Sequence, residues 1–177
     1  MGGHAASPVA RALVAHAHQR AWTIATAESL TAGLVVDALV RVPGASAVVR
    51  GGVAAYHAEV KTNVLGVPAE VIARRGVTSR EVALAMAHGV VALTASDVGI
   101  ATTGVAGPGP EQGVPAGTVT VAAVTPAGQW VRSWRVAGTR ECTRRAARDL
   151  ALALALGALG NNHRPMGVTP CDDKEQR

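Results

Sequence analysis

The sequence predicts an α/β fold, a three-layer α/β/α sandwich in which helices cover both faces of a mixed, mostly parallel sheet containing one hairpin. Three observations lead there. Stretches with helical spacing of apolar residues alternate with short strand-like runs from residue 8 to residue 159. Hydrophobic residues are 49% of the chain and are mostly Ala, Val and Leu, with no Phe and 2% aromatics, so the core is aliphatic. That palette suits helices packed on a Val-rich sheet. Finally, 177 residues fit one domain, and a domain of this size buries roughly 70% of the surface its unfolded chain exposes.

The elements follow in order. Residues 8–20 carry apolar positions at helical spacing, and 22–27 read as a short buried strand ending in a tight turn at Glu28 and Ser29. A helix over 31–42 is stopped by Pro43 and Gly44, and 48–56 form the second strand. Lys61 falls about one turn into the next helix. A helical stretch over 68–75 precedes a longer helix that Ser79 caps, with Glu81 in its first turn, and that runs to Ala95. The third strand is 98–103. The segment 104–117, GVAGPGPEQGVPAG, is too rich in glycine and proline for regular structure and reads as a constrained loop. Strands 118–125 and 130–136 flank a PAGQ turn, and the last helix spans about 139–159. Residues 1–160 are expected to form a single domain and 161–177 a disordered polar tail.

Composition excludes several classes. The longest apolar run, 150–159, is about half the ~20 residues of a membrane span, and no basic segment followed by an apolar one opens the chain. The reading is a cytoplasmic protein with no membrane partner. Cys142 and Cys171 have neither the number nor the spacing of a disulfide framework or zinc site and read as free thiols. The net charge of +5 comes from scattered basic residues without an aromatic platform, which argues against nucleic acid and for attraction of a phosphorylated small molecule.

Fifteen of the seventeen basic residues are Arg, leaving only Lys61 and, in the tail, Lys174. Arg stays protonated at any working pH, whereas a buried Lys can lose its proton and act as a base. Lys61 is therefore either a surface residue of its helix or a catalytic base. Ser29, where a strand gives way to a helix, is either an N-cap or a nucleophile whose oxyanion is met by nearby backbone N–H groups. A serine needs a base, and no histidine lies in a recognisable triad. Tyr56, the only tyrosine, either ends its strand or lines a pocket and relays a proton. The glycine-rich loop fits neither the Walker nor the dinucleotide pattern, but its amides suit a phosphate or carboxylate, with Thr102 and Thr103 as hydroxyl donors. Arg140 and Arg144 lie one turn apart and either face solvent or grip a phosphate together.

In order, ATAESLTAGLVVDALVRVPGAS, GGVAAYHAEVK, TTGVAGPGP, PAGTV and GTRECTR (138–144) resemble the C-terminal domain of the CinA family, which includes nicotinamide-nucleotide amidohydrolases. The resemblance covers roughly residues 8 to 157. It implies deamidation of nicotinamide mononucleotide to nicotinate mononucleotide and ammonia, in pyridine nucleotide recycling, with no metal or cofactor, by a homodimer. It also implies roles: Ser29 as nucleophile, Lys61 as base and Tyr56 assisting in the pocket. Leu30, Thr31, Ala32 and Gly33 would surround the oxyanion, with amides near Thr31 and Gly33 donating to it. Thr103, Gly104, Gly107, Gly109, Arg140 and Arg144 would hold the nucleotide. The chain departs from the family pattern where ESCTGG reads ESLTAG, TYS reads AYH and GDR reads GTR, so Leu30, Ala32, His57 and Thr139 bear on activity and substrate preference. Many family members carry a further N-terminal domain, and the expectation here is a stand-alone form. Two alternatives accompany the amidohydrolase: a nucleotide-binding module with weak or no catalysis, and a deamidase of another amide metabolite.

Overall fold

Alternation along the strands decides how the layers assemble. Ile24, Val98, Ile100, Val119, Val121 and Ala123 turn to one core, while Ala25, Ala27, Ala101, Ala122 and Val124 turn to a second; the period of two sends neighbouring side chains to opposite faces. The computed structural model describes residues 6–160. Its five strands are β1 (Ile24–Glu28), β2 (Val49–Ala54), β3 (Val98–Val105), β4 (Thr118–Thr125) and β5 (Gly128–Arg135). They form one mixed sheet of order β2-β1-β3-β4-β5. β1 pairs parallel with β2 and β3, and the β3–β4 and β4–β5 pairs are antiparallel.

Helices cover both faces, as the sequence predicts. α1 (Pro8–Gln19), α2 (Leu34–Val40) and α6 (Arg140–Leu159) pack on the bulkier Ile and Val face. On the small-residue face lie α3 (Ala58–Leu65), α4 (Ala69–Arg75) and α5 (Arg80–Thr94). Small residues are required there because the layers approach closely. A Cβ on Gly99 would collide with the Ala87 carbonyl of α5, and one on Gly89 with the Leu65 carbonyl that ends α3. Four helices start on a side-chain cap: Ser7 accepts from Ala10 N, His57 from Glu59 N, Ser79 from Val82 N and Thr139 from Cys142 N.

Several boundaries move for physical reasons. The helix expected over 31–42 spans only Leu34–Val40, because residues 29–33 are held in a turn described below. β3 continues to Val105, since Gly104 and Val105 pair with Val119 and Thr118 and are drawn out of the glycine-rich loop. Cys142, expected as a free thiol, is disulfide-bonded; spacing in sequence does not report distance in space. Cys171 and the tail over 161–177 lie outside the described residues. Among the described residues no helix is long and apolar enough to cross a membrane.

Candidate active site

Glu28, the last residue of β1, organises the nucleophile turn. Its side chain is 1% exposed and accepts four hydrogen bonds: from Thr26 Oγ1 at 3.0 Å, Gly33 N at 2.8 Å, Val35 N at 3.0 Å and Val36 N at 2.8 Å. The N-cap of α2 is Gly33, which has no side chain to do this. A carboxylate at a helix N-terminus satisfies orphan amides and complements the helix dipole. The chain between Glu28 and Gly33 is thus folded back, with Ala32 and Gly33 at φ of 48° and 103°. The left-handed conformation at Ala32 accounts for glycine in the family pattern at that position.

Ser29 leaves this turn beyond the C-terminal end of β1, anchored by its N–H on Thr102 O at 2.9 Å. Lys61 approaches from the opposite face of the sheet. His57 caps α3, its Nδ1 accepting from Glu59 N at 3.4 Å, and Lys61 on the first turn points inward, only 2% exposed. Its Nζ lies 2.7 Å from Ala55 O, 3.1 Å from Ser29 Oγ and 3.3 Å from Tyr56 O. Burial lowers its pKa from the ordinary 10.5 to about 8, and attraction to Glu111 partly opposes the shift. The three acceptors match the three donors of an ammonium. In the neutral amine, two N–H groups go to the carbonyls, which cannot donate, and the lone pair is left to the serine hydroxyl. Lys61 is therefore placed to take a proton from Ser29.

These groups border a cavity of about 170 Å³ that Tyr56, Thr103, Glu111 and Arg140 also line. Leu30, Gly104 and His57 reach it as well, whereas Gly107 and Gly109 do not. Tyr56 is 62% exposed; only its carbonyl meets Lys61, and its hydroxyl accepts from Arg140 at 2.9 Å. Arg140 also donates to Gly107 O at 2.8 Å.

Four expectations need correction. Gly33 cannot offer its N–H to an oxyanion, because Glu28 already holds it; the amides of Leu30 and Thr31 have no partner among the described residues. Arg144 does not join Arg140 at a phosphate. It reaches past α6 to the nucleophile turn, donating to Leu30 O at 2.9 Å and Thr31 O at 3.0 Å, and so fixes the backbone whose amides stay free. Thr102 is no ligand donor, being bonded to Thr31 Oγ1 at 2.7 Å. The Thr103 hydroxyl donates to Val77 O at 2.8 Å.

Sequence reasoning missed the roles of Glu28 and Glu111. Glu28 sits beside Ser29, but its bonds reach five to eight residues ahead, outside any capping pattern. Glu111 was legible only as the one acid of the loop 104–117. Among the described residues, no group of three or more His, Cys, Asp or Glu is placed to hold a metal ion.

Comparison with known proteins agrees with this fold. Residues 6–159 match the family described as CinA C-terminal domain. A CinA-like protein of Frankia casuarinae is 45% identical over 136 residues, which are 77% of this chain and 31% of that protein. The chain spans about a third of the length of the curated relatives it matches, 32% and 30% of two others. A CinA superfamily protein from Klebsiella pneumoniae superposes with a TM-score of 0.83 at 32% identity, covering 86% of this chain and 96% of that one. The competence/damage inducible protein CihA from Agrobacterium tumefaciens gives a TM-score of 0.83 at 33% identity, covering 90% and 98%. With the family match running from before α1 to the end of α6, the chain belongs to the CinA C-terminal domain family.

Proposed function

We propose that this protein is an amidohydrolase that converts nicotinamide mononucleotide to nicotinate mononucleotide and ammonia, with Ser29 as nucleophile and Lys61 as base. One observation carries the reading: a buried lysine, whose other two protein neighbours are carbonyl oxygens that cannot donate, lies 3.1 Å from a serine hydroxyl at the edge of a cavity.

In this scheme neutral Lys61 takes the Ser29 proton as Oγ bonds to the carboxamide carbon. The carbonyl oxygen becomes an oxyanion facing the unpartnered amides of Leu30 and Thr31, which Arg144 holds in place. The Lys61 ammonium returns its proton to the amide nitrogen, the C–N bond breaks and ammonia leaves a Ser29 ester. Water then attacks the ester, Lys61 takes its proton and passes it to Ser29 Oγ, and the acid departs, ionising to the carboxylate as its proton passes to ammonia or solvent. Tyr56 and Arg140 form the wall against the nucleotide, with Arg140 toward the phosphate. Thr103 and Gly104 line the same wall, Gly107 supports it through Arg140, and Gly109 belongs to the same glycine-rich loop. The cytoplasm is the setting proposed for this reaction, and a homodimer the assembly, which sedimentation equilibrium tests.

The experiment is ammonia release from nicotinamide mononucleotide by the purified protein. Turnover is expected, and Ser29→Ala is expected to lower kcat by on the order of 10³-fold or more. Full activity in Ser29→Ala would remove the serine from the scheme.

A further inference from the structure

One side chain on the cavity wall takes no part in the dyad chemistry: Glu111, the only acid among the lining residues. Its backbone is closely held. Glu111 and Val114 exchange both backbone hydrogen bonds at 2.9 Å, closing a hairpin whose central residues, Gln112 and Gly113, have φ of 47° and 78°. Two left-handed residues between reciprocally bonded neighbours make a type I′ turn. Gln112 adopts this conformation despite carrying a Cβ, so the surroundings impose the turn. Within a loop of glycines and prolines, this hairpin keeps one carboxylate at the cavity.

The other charges there are cationic. Arg140 bonds Gly107 O and Tyr56 Oη, and its remaining N–H groups are free to face an anion. Lys61 becomes an ammonium on taking the serine proton, so a ring cation next to the reacting carbonyl meets like charge unless a carboxylate stands near. Glu28 cannot serve, since it is buried and engaged by four donors.

We propose that Glu111 is a specificity-determining residue that selects amides borne on a cationic ring, the ring lying toward Glu111 and an anionic group toward Arg140. The inference rests on the amidohydrolase reading and narrows it to dipolar substrates: the ring of nicotinamide mononucleotide is an N-alkylated pyridinium, and its phosphate is the anion. Glu111 already acts on a neighbouring cation, since its attraction favours the charged form of Lys61.

The test uses two ligands alike in phosphate, ribose and carboxamide but different in ring charge: nicotinamide mononucleotide and its neutral 1,4-dihydro form. Dissociation constants are measured by calorimetry in Ser29→Ala protein, which holds substrate without turnover, and again with Glu111→Gln or Glu111→Asp added. Ser29→Ala protein is expected to prefer the cationic ligand. Glu111→Gln is expected to reduce that preference about fivefold, the scale of a partly exposed charge pair, and Glu111→Asp to restore most of it. A preference unchanged within twofold in Glu111→Gln overturns the inference, as does failure of Ser29→Ala protein to bind the cationic form. Ammonia release by the unmodified protein is scored separately. Release together with an unchanged ring preference removes this inference alone; no release together with a Glu111-dependent preference removes the amidohydrolase and supports the inference. The turn's backbone bonds do not involve the substituted side chain, and an unchanged Tm verifies that it survives.

Discussion

Lys61 has three oxygen neighbours, and only the Ser29 hydroxyl can give it a proton. With a pKa of about 8, about a tenth of the molecules hold it neutral at pH 7. If the neutral amine is the base, kcat/KM should rise about tenfold per pH unit below that value and level off above it. The profile of the purified protein between pH 6 and 10 checks this. Lys61→Arg, which cannot deprotonate, should lose on the order of 10³-fold in kcat at every pH. A flat profile, or an active Arg variant, takes Lys61 out of the chemistry. At this scale the sequence was partly legible. Lys61 stood out because lysine is rare in an arginine-rich chain, and Ser29 because it ends a strand. Arg144 looked like a partner of Arg140 because helical spacing puts them on one side, but spacing does not say what each meets beyond its helix. Arg140 meets the loop and Arg144 the nucleophile turn.

The elements that carry the dyad are positioned differently. α2 begins on a carboxylate rather than on a local capping residue, so its start could not be read from the string and the helix was expected three residues too early. Helices with local caps, α5 on Ser79 and α6 on Thr139, were placed within a residue. α3 owes its position to α5, against which its last residue packs at Gly89. Gly89→Ala puts a methyl group into the Leu65 carbonyl, and neither backbone can yield without shifting a helix. The expected loss is about 2 to 3 kcal/mol, as for overpacking elsewhere. Because Lys61 rides on α3, kcat should fall with it even at temperatures where the variant is folded. Denaturant melts and steady-state rates on the same preparation check both effects; a variant as stable and active as the parent shows that α3 does not depend on this contact.

Over the whole molecule, the site sits where the chain order in the sheet reverses. From β1 the chain passes by α2 on one face to β2, then by α3, α4 and α5 on the other face to β3 on the far side of β1. The connections diverge beyond the C-terminal end of β1, the position where open α/β sheets form ligand crevices. Alternating elements made the layers legible in the sequence, but strand order was not, because parallel pairing leaves no local mark. This placement also buries a cation, which has a consequence for global stability. Lys61 titrates near 8 when folded and near 10.5 when unfolded, so between these values the unfolded chain binds the extra proton. Stability linked to this group must therefore rise as pH increases from about 8 to 10.5, and below 8 the folded state bears the full desolvation penalty. The shift sets a ceiling of about 3 kcal/mol, lowered wherever water reaches the ammonium. Lys61→Met removes the titration, so the difference in unfolding free energy between parent and variant should change across that window in the parent's favour. Chemical denaturation at pH 7, 8, 9 and 10 measures it, and a difference that stays constant shows that Lys61 titrates alike in both states.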